Sequence, residues 1–218
     1  MELTHEQLQL VENYLDKKDI TYIDIRTEVF DHIVSDIETK MTSSEISFEK
    51  AFNKVTNKWN THLEQSSSFY FGSMFTIPKI VLEKAKKSFK KYYIIGILVF
   101  LIPFLSIRIL NPVFTEEIKN TINLFLQTLT VLSFIVFTIL MIIKSKNKTQ
   151  TTYRFILNTQ SLGFICSTIV LIDLDFFTPK GILDSILVGL LSTFVFTTYT
   201  YYHFLKKHKE AIKKYKIS

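Results

Sequence analysis

The sequence predicts an all-α protein in which a small three-helix N-terminal domain is followed by a bundle of four transmembrane helices. Apolar residues recur with a period near 3.6 over residues 4–63, which is typical of amphipathic helices. Four later apolar runs hold about 19 to 24 residues each, enough to cross a hydrocarbon core of about 30 Å. Lysines cluster in every second segment around those runs. Together these observations indicate a polar head and a membrane domain.

Composition divides the chain into four segments. Residues 1–65 form the predicted three-helix domain, 66–91 an aromatic and basic linker helix, 92–205 the four spans and 206–218 a basic tail. Residues 1–70 carry 13 acidic against 7 basic residues, although the whole chain has a net charge of +6. Because the excess lysines lie beside the apolar runs, membrane lipids are their expected partners, and direct nucleic-acid binding is not expected.

Each predicted helix of the first domain has its own start signal. The first opens on Thr4 with Gln7 three residues later, which is a capping-box pattern. The second is expected to begin near Thr21 with Asp24 in the matching position, and the third is expected to follow Ser47. The predicted core-facing residues are Leu8, Val11 and Leu15, then Ile25, Val29, Ile33 and Ile37 flanked by Phe30, Val34 and Met41, then Phe48, Phe52, Val55 and Trp59.

Four short patterns in this region carry a family resemblance. They are EVFDHI at residues 28–33, DIE at 36–38, SFEKAF at 47–52 and WN at 59–60. Together they resemble the HAAS-type signalling domain over about residues 5–62. The resemblance implies a cytosolic regulatory or adaptor module that is often associated with PadR-like transcriptional regulators and that has no catalytic residues.

One turn departs from that family's pattern. The family has a glycine before the third helix, where this chain reads Thr42, Ser43, Ser44 and Glu45. Beyond the domain, SSFYFG at residues 67–72 and PKI at 78–80 resemble a family of Bacteroidetes membrane proteins. That second resemblance implies a location in a bacterial inner membrane.

The densest group of ionisable side chains lies on the predicted second helix. Glu28, Asp31, His32 and Asp36 share one helix face, and carboxylates with an imidazole could hold a divalent metal. The simpler interpretation has His32 packing against the third helix while the acids face water, so no metal, cofactor or catalytic residue is predicted. The partner-binding residues predicted for this domain are Glu28, Phe30, Asp31, His32, Val34 and Trp59.

The linker joins an aromatic segment to a basic one. Its aromatic half contains Phe69, Tyr70, Phe71, Met74 and Phe75. In water these side chains would form an exposed patch, so they are expected either to enter the membrane interface or to cover the base of the first domain. Pro78 suits the first position of a helix that runs into the first span. The residues predicted to face lipid head groups are Lys84, Lys86, Lys87, Lys90 and Lys91.

The distribution of basic residues predicts the orientation of the four spans, which cover residues 92–110, 121–143, 155–177 and 182–205. Fifteen Lys and Arg residues lie in three places: at 84–91 just before the first span, at 144–154 between the second and third, and at 206–218 after the fourth. The alternate segments contain three. By the positive-inside rule, both termini are predicted to be cytoplasmic.

The chemistry of the spans separates the possible functions. Hydroxyl and amide side chains in the second to fourth spans are expected to hydrogen-bond helix to helix. Asp173 and Asp175 are either solvated loop acids or an outward-facing cation site. The sequence contains no P-loop, HExxH, GxSxG or GxGxxG motif, which disfavours an enzyme.

These observations favour a non-enzymatic membrane protein whose head binds a cytosolic protein or a second copy of the chain, with a functional link to a PadR-like regulator. The alternative is an accessory subunit of a permease or a small oligomeric channel, in which the polar stripes would line a path. An intramembrane enzyme is the third possibility and would depend on His32, His203 or Asp173.

Overall fold

The protein is mostly helical, as predicted. The computed structural model describes residues 2–160, 170–172 and 174–215. Within them the helices are α1 (His5–Lys17), α2 (Ile23–Ser44), α3 (Phe48–Leu63), α4 (Lys79–Leu110), α5 (Glu116–Ser145), α6 (Thr152–Gln160) and α7 (Ser185–Tyr215), and the strands are β1 (Gln65–Ser68) and β2 (Gly72–Pro78).

The chain forms two compact units. The first, called the head unit below, contains Met1–Ser88, Thr149–Ile156 and Lys207–Ser218. The second, called the apolar unit, contains Phe89–Lys148 and Leu157–Lys206. The head unit therefore includes more of the chain than the predicted 1–65, because two distant segments and the first turns of α4 also belong to it.

The core of the head unit follows the predicted helical stripes. Ile25, Val29, Ile33 and Ile37 of α2 are all buried, each contributing about 1.5–3 kcal/mol of hydrophobic free energy relative to full exposure. The capping box of α1 is present, since the side chain of Thr4 accepts from the Gln7 N–H and the Gln7 side chain accepts from the Thr4 N–H.

Helix α3 begins directly after Ser47, as predicted, whereas the N-cap of α2 is Tyr22 instead of Thr21. Tyr22 occupies the N-cap of α2 and Ser47 that of α3, and neither side chain makes a capping hydrogen bond. Asp24 is buried rather than turned back on its own helix. Its carboxylate contacts another part of the chain.

Arg26 joins α1 to α2. Its guanidinium pairs with Glu12 and donates to Asp16 Oδ1 at 2.6 Å and to the Ile20 carbonyl at 3.1 Å. Because a planar guanidinium presents several donors in a fixed arrangement, one side chain holds three acceptors from α1 and the following turn.

The turn without the family's glycine contains a strained residue. Glu45, the C-cap of α2, has φ = 47° and ψ = 41°, a left-handed conformation that is costly for a residue with a Cβ. We expect Glu45→Gly to stabilise the head unit by about 0.5–1 kcal/mol, which would raise its thermal midpoint by about 1–4 °C. Ser44→Gly, at the last helical residue, should instead lower it. A lower midpoint for Glu45→Gly would contradict this account.

The linker is not helical throughout, and the prediction of a helix over 66–91 is wrong for its first part. Strands β1 and β2 pair antiparallel, with Gln65 opposite Pro78 and Ser68 opposite Gly72. Gly72 has φ = 87° at the turn, which only glycine adopts without strain. Phe75, Thr76 and Ile77 of β2 are of the aromatic and β-branched types that favour a strand. The helix begins only at Lys79.

Among the residues that the structure describes, two helices, α4 and α5, are long and apolar enough to cross a membrane. No residue of the most apolar 18-residue stretch of α4 is buried, and 22 % of the corresponding stretch of α5 is. The core helix of a water-soluble protein would bury one face, so these exposed apolar surfaces are typical of helices in lipid.

The other two predicted spans, the third and the fourth, are not among these two helices. Helix α7 contains the fourth predicted span, but it is less apolar than α4 and α5. The hydroxyls of Thr193, Thr197, Thr198 and Thr200 lower its mean hydropathy. Residues 161–169 and 173 of the third predicted span lie outside the described residues.

Most polar side chains of the described spans bond within their own helix. Ser192, Thr193 and Thr198 donate to carbonyls four residues earlier in α7 at 2.8–3.0 Å, and Thr128 and Thr130 do the same in α5. These five hydroxyls therefore donate within their own helices, whereas helix-to-helix hydrogen bonds were expected. The two amides do link segments: Gln127 donates to the Leu174 carbonyl and Gln160 to the Thr200 hydroxyl.

Candidate functional site

A cleft of about 440 Å³ lies within the head unit, where α2, α3 and the first turns of α4 meet. Its lining residues are Ile25, Glu28, Val29, His32, Trp59, Ile80, Glu83, Lys84 and Lys87. The apolar members come from all three helices, and the charged members surround them. The cleft therefore combines an apolar floor with a rim that carries both signs of charge.

Trp59 forms one wall of the cleft, and its ring is held in place. The indole N–H donates to Asp36 Oδ2 at 3.3 Å, and the ring contacts His62 edge to face at 6.0 Å. Lys58 Nζ lies 3.5 Å from the same Asp36 oxygen. A half-buried tryptophan with its polar atom already bonded offers a rigid apolar surface, at little further cost in side-chain entropy.

Lys84 lies in the cleft between two acids of α2. Its ammonium donates to the Asp24 carbonyl at 2.7 Å, lies 3.6 Å from Asp24 Oδ2 and lies 3.9 Å from Glu28 Oε2. These contacts hold α4 against α2 through one side chain. They also correct the prediction that Lys84 faces lipid.

Asp24 anchors the cleft from beneath. Its side chain is only 2 % exposed, and Oδ1 accepts from the backbone N–H of Thr152 at 2.9 Å. Thr152 is the first residue of α6, so the carboxylate lies at the positive end of a helix dipole. Lys84 supplies a second opposite charge. A buried carboxylate is tolerated when a cation and a donor both contact it.

The loop before α6 is bound to the same place. The Ile23 N–H donates to the Gln150 carbonyl at 3.1 Å, and the Thr151 hydroxyl accepts from the Arg154 N–H at 3.0 Å, which caps α6. Burial, together with the nearby charges of Asp19 and Asp24, raises the pKa of Tyr22 to about 12, so this phenol stays neutral at physiological pH. The start of α2 is thus tied to a segment more than 120 residues later.

The structure brings together only part of the predicted partner-binding set. Glu28, His32 and Trp59 line the cleft. Asp31 is exposed beside it, while Phe30 and Val34 are partly buried and do not line it. Their spacing from Glu28 and His32 places them on a different face of α2.

The predicted lipid-facing lysines also separate into groups. Lys87 lines the cleft with Lys84, and Lys86 pairs with Glu83 at 3.1 Å. Lys90 and Lys91 are exposed and follow the head unit along α4. Lys90 and Lys91 retain the exposure expected of a head-group contact.

The metal alternative finds no support in the part of the chain that the structure describes, where no three His, Cys, Asp or Glu side chains converge. Asp36 is directed to Trp59 and Lys58 instead of His32. Of the proposed outward acids, Asp175 accepts from the Phe177 N–H at 3.1 Å, and Asp173 lies outside the described residues.

Asp24, Ile80 and Glu83 are site residues that sequence reasoning missed. Asp24 was expected only to help start α2, and its partners Lys84 and Thr152 lie 60 and 128 residues further along the chain. An acid within the first turn of an amphipathic helix is common, so no sequence signal separates this one from an ordinary surface residue.

No protein-family model, curated protein or solved structure matches this chain. The HAAS-type resemblance therefore remains an expectation.

Proposed function

We propose that this chain is a bacterial inner-membrane protein whose head unit acts as a regulatory adaptor by docking a cytosolic protein in the cleft of α2, α3 and α4. It crosses the membrane four times with both termini in the cytoplasm. The cleft is the observation that carries the proposal, because it joins a rigid tryptophan, an apolar floor and a charged rim in one polar unit.

The membrane part of the proposal is supported by surface chemistry. Large apolar side chains of α4 are exposed, among them Ile102 at 63 % and Ile109 at 78 %. In water such a surface is unfavourable, whereas in hydrocarbon it is solvated. The segments that begin and end the membrane domain, with the one between the second and third spans, carry 15 Lys and Arg residues, and the alternate segments carry 3. This difference supports a cytoplasmic location for the head and the tail.

The expected partner is an amphipathic helix with a basic edge. Its apolar face would cover Trp59 and Ile80, and its cations would meet Glu28, Glu83 and the acidic surface of the head, where residues 1–70 have 13 acids against 7 bases. The HAAS-type resemblance favours a PadR-like regulator as the functional link.

A photo-crosslinking amino acid in place of His32, in the full chain in cells, tests the docking. We expect one discrete adduct with another protein, reduced at least about tenfold by Trp59→Ala and unchanged by Lys50→Ala on the exposed side of α3. The same crosslinker in place of the exposed Asn53 serves as the position control.

Three outcomes count against the docking proposal. They are no adduct at position 32, an adduct equally strong at position 53, and an adduct with the mass of two copies of the chain. The last would assign the cleft to self-association instead of a cytosolic partner.

The channel or permease-subunit alternative is less favoured. Its supporting feature was the polar faces of the second to fourth spans, and in the fourth the hydroxyls of Ser192, Thr193 and Thr198 donate to carbonyls of their own helix. A hydroxyl bonded in this way offers a passing solute a weaker contact than a free one.

A further inference from the structure

The hairpin of β1 and β2 sorts its large side chains onto two sides. Phe71 is 3 % exposed and Phe75 is partly buried, and both rings pack edge to face on Phe155, with centroids 5.0 and 6.4 Å away. Phe69 is 86 % exposed and Met74 is 76 % exposed. Two alternatives were expected for this aromatic segment, covering the base of the head and entering the membrane interface. Phe71 and Phe75 pack within the head unit, whereas Phe69 and Met74 are available for the interface.

The residue against which the hairpin packs indicates its depth. Phe155 is where the third apolar run of the sequence begins. Two residues earlier, the ring of Tyr153 lies 5.7 Å from the ammonium of Lys207, which follows the fourth apolar run. Tyrosine and lysine at the ends of apolar runs are typical of the head-group layer of a bilayer. The hairpin therefore packs beside residues of the types that are typical of the head-group layer.

The basic residues that follow the hairpin in the sequence also favour the head-group layer as its location. Exposed Lys79 directly follows β2, and exposed Lys90 and Lys91 lie further along the helix that β2 leads into. Basic residues beside exposed apolar ones are suited to anionic phospholipid, which attracts the ammonium groups while its acyl chains receive the apolar tip.

We propose that the hairpin tip, Phe69 and Met74, inserts into the boundary between head groups and acyl chains of the cytoplasmic leaflet. The tip holds the head unit close to anionic lipid, in addition to the spans themselves. This inference rests on the membrane location proposed above, and its occupant is the bilayer instead of a protein.

Tryptophan quenching by brominated lipid tests the inference in the full chain, reconstituted in nanodiscs that contain anionic lipid. The chain has a single tryptophan, so Trp59→Phe provides a silent background. Into it we place Phe69→Trp or Met74→Trp, with the exposed Asn57→Trp of α3 as the head control. Both tip positions are exposed, so folding is expected to tolerate the substitution.

We expect lipids brominated near the head-group end of the acyl chain to quench both tip tryptophans at least about twofold more than Asn57→Trp. Equal quenching at the three positions would overturn the inference. So would tip tryptophans that are shielded from aqueous iodide but not quenched by lipid, because a protein would then cover them.

Leu98→Trp, in the apolar part of α4, separates this inference from the proposed function. Quenching of Leu98→Trp by deep bromines without quenching at the tip would reject only the hairpin anchor. Absence of quenching at Leu98→Trp would reject the membrane location itself, and with it the hairpin anchor.

Discussion

Replacement of Asp24 by alanine is expected to destabilise the head unit by roughly 2–4 kcal/mol. The substitution removes the acceptor of the Thr152 N–H and leaves Lys84 without its buried partner. Because the Lys84 side chain is 31 % exposed, water compensates part of its lost contact, and the expected cost lies below that of a fully buried pair. Asp24→Asn keeps an acceptor for Thr152 and should cost about half as much.

Thermal unfolding of the detergent-solubilised full chain, followed by Trp59 fluorescence, measures the stability of the head unit, because Trp59 belongs to that unit. The midpoint should fall by about 5–12 °C for Asp24→Ala. Asp31→Ala, which changes an exposed acid on the same helix, should alter the free energy of unfolding by no more than about 0.5 kcal/mol. If the two alanine variants behaved alike, Asp24 would not be the anchor of the cleft.

The second large effect is expected at Gly189 in the apolar unit. A Cβ there would lie 2.9 Å from Phe100 Cε2 and 3.0 Å from Cδ2, closer than real side chains approach. The Phe100 ring is stacked on Phe104 at 5.5 Å, so it cannot move away without disturbing a second ring. We expect Gly189→Ala to cost about 1–3 kcal/mol by separating α4 from α7.

Gly96 on α4 provides a matched control for that substitution. Its Cβ would meet the Phe196 ring at 3.6 Å, an ordinary contact, so Gly96→Ala should be neutral or stabilise by up to about 1 kcal/mol through helix propensity. Helical circular dichroism during heating in detergent compares the pair. Equal midpoints for Gly189→Ala and Gly96→Ala would show that the close approach of Gly189 to Phe100 is unimportant.

Local patterns predicted the features that depend on neighbours in sequence. The α1 capping box and the buried stripe of α2 follow from residues three or four positions apart, which share a helix face in any tertiary setting. The hairpin was missed because its aromatic residues were interpreted through membrane affinity, while Gly72 with its positive φ marks a turn.

Three of the nine residues that line the cleft were also predicted from the sequence as partner-binding residues. Glu28, His32 and Trp59 were predicted because they carry the family resemblance, and all three line the cleft. Ile80, Glu83, Lys84 and Lys87 line it from α4, and the two lysines among them were assigned to lipid on composition alone. Composition describes which solvent a segment prefers on average, and it does not identify the partner of a particular ammonium.

By itself the amino-acid sequence determined the helical class, the apolar runs and the face that α2 buries, because each depends on the spacing of side chains along a short stretch of chain. Only the tertiary structure decided that Asp24 holds Lys84 and the start of α6, and that Phe71 turns inward while Phe69 stays exposed. These choices depend on which distant segments pack together. A buried charge takes whatever donor and cation the packing brings within about 3–4 Å.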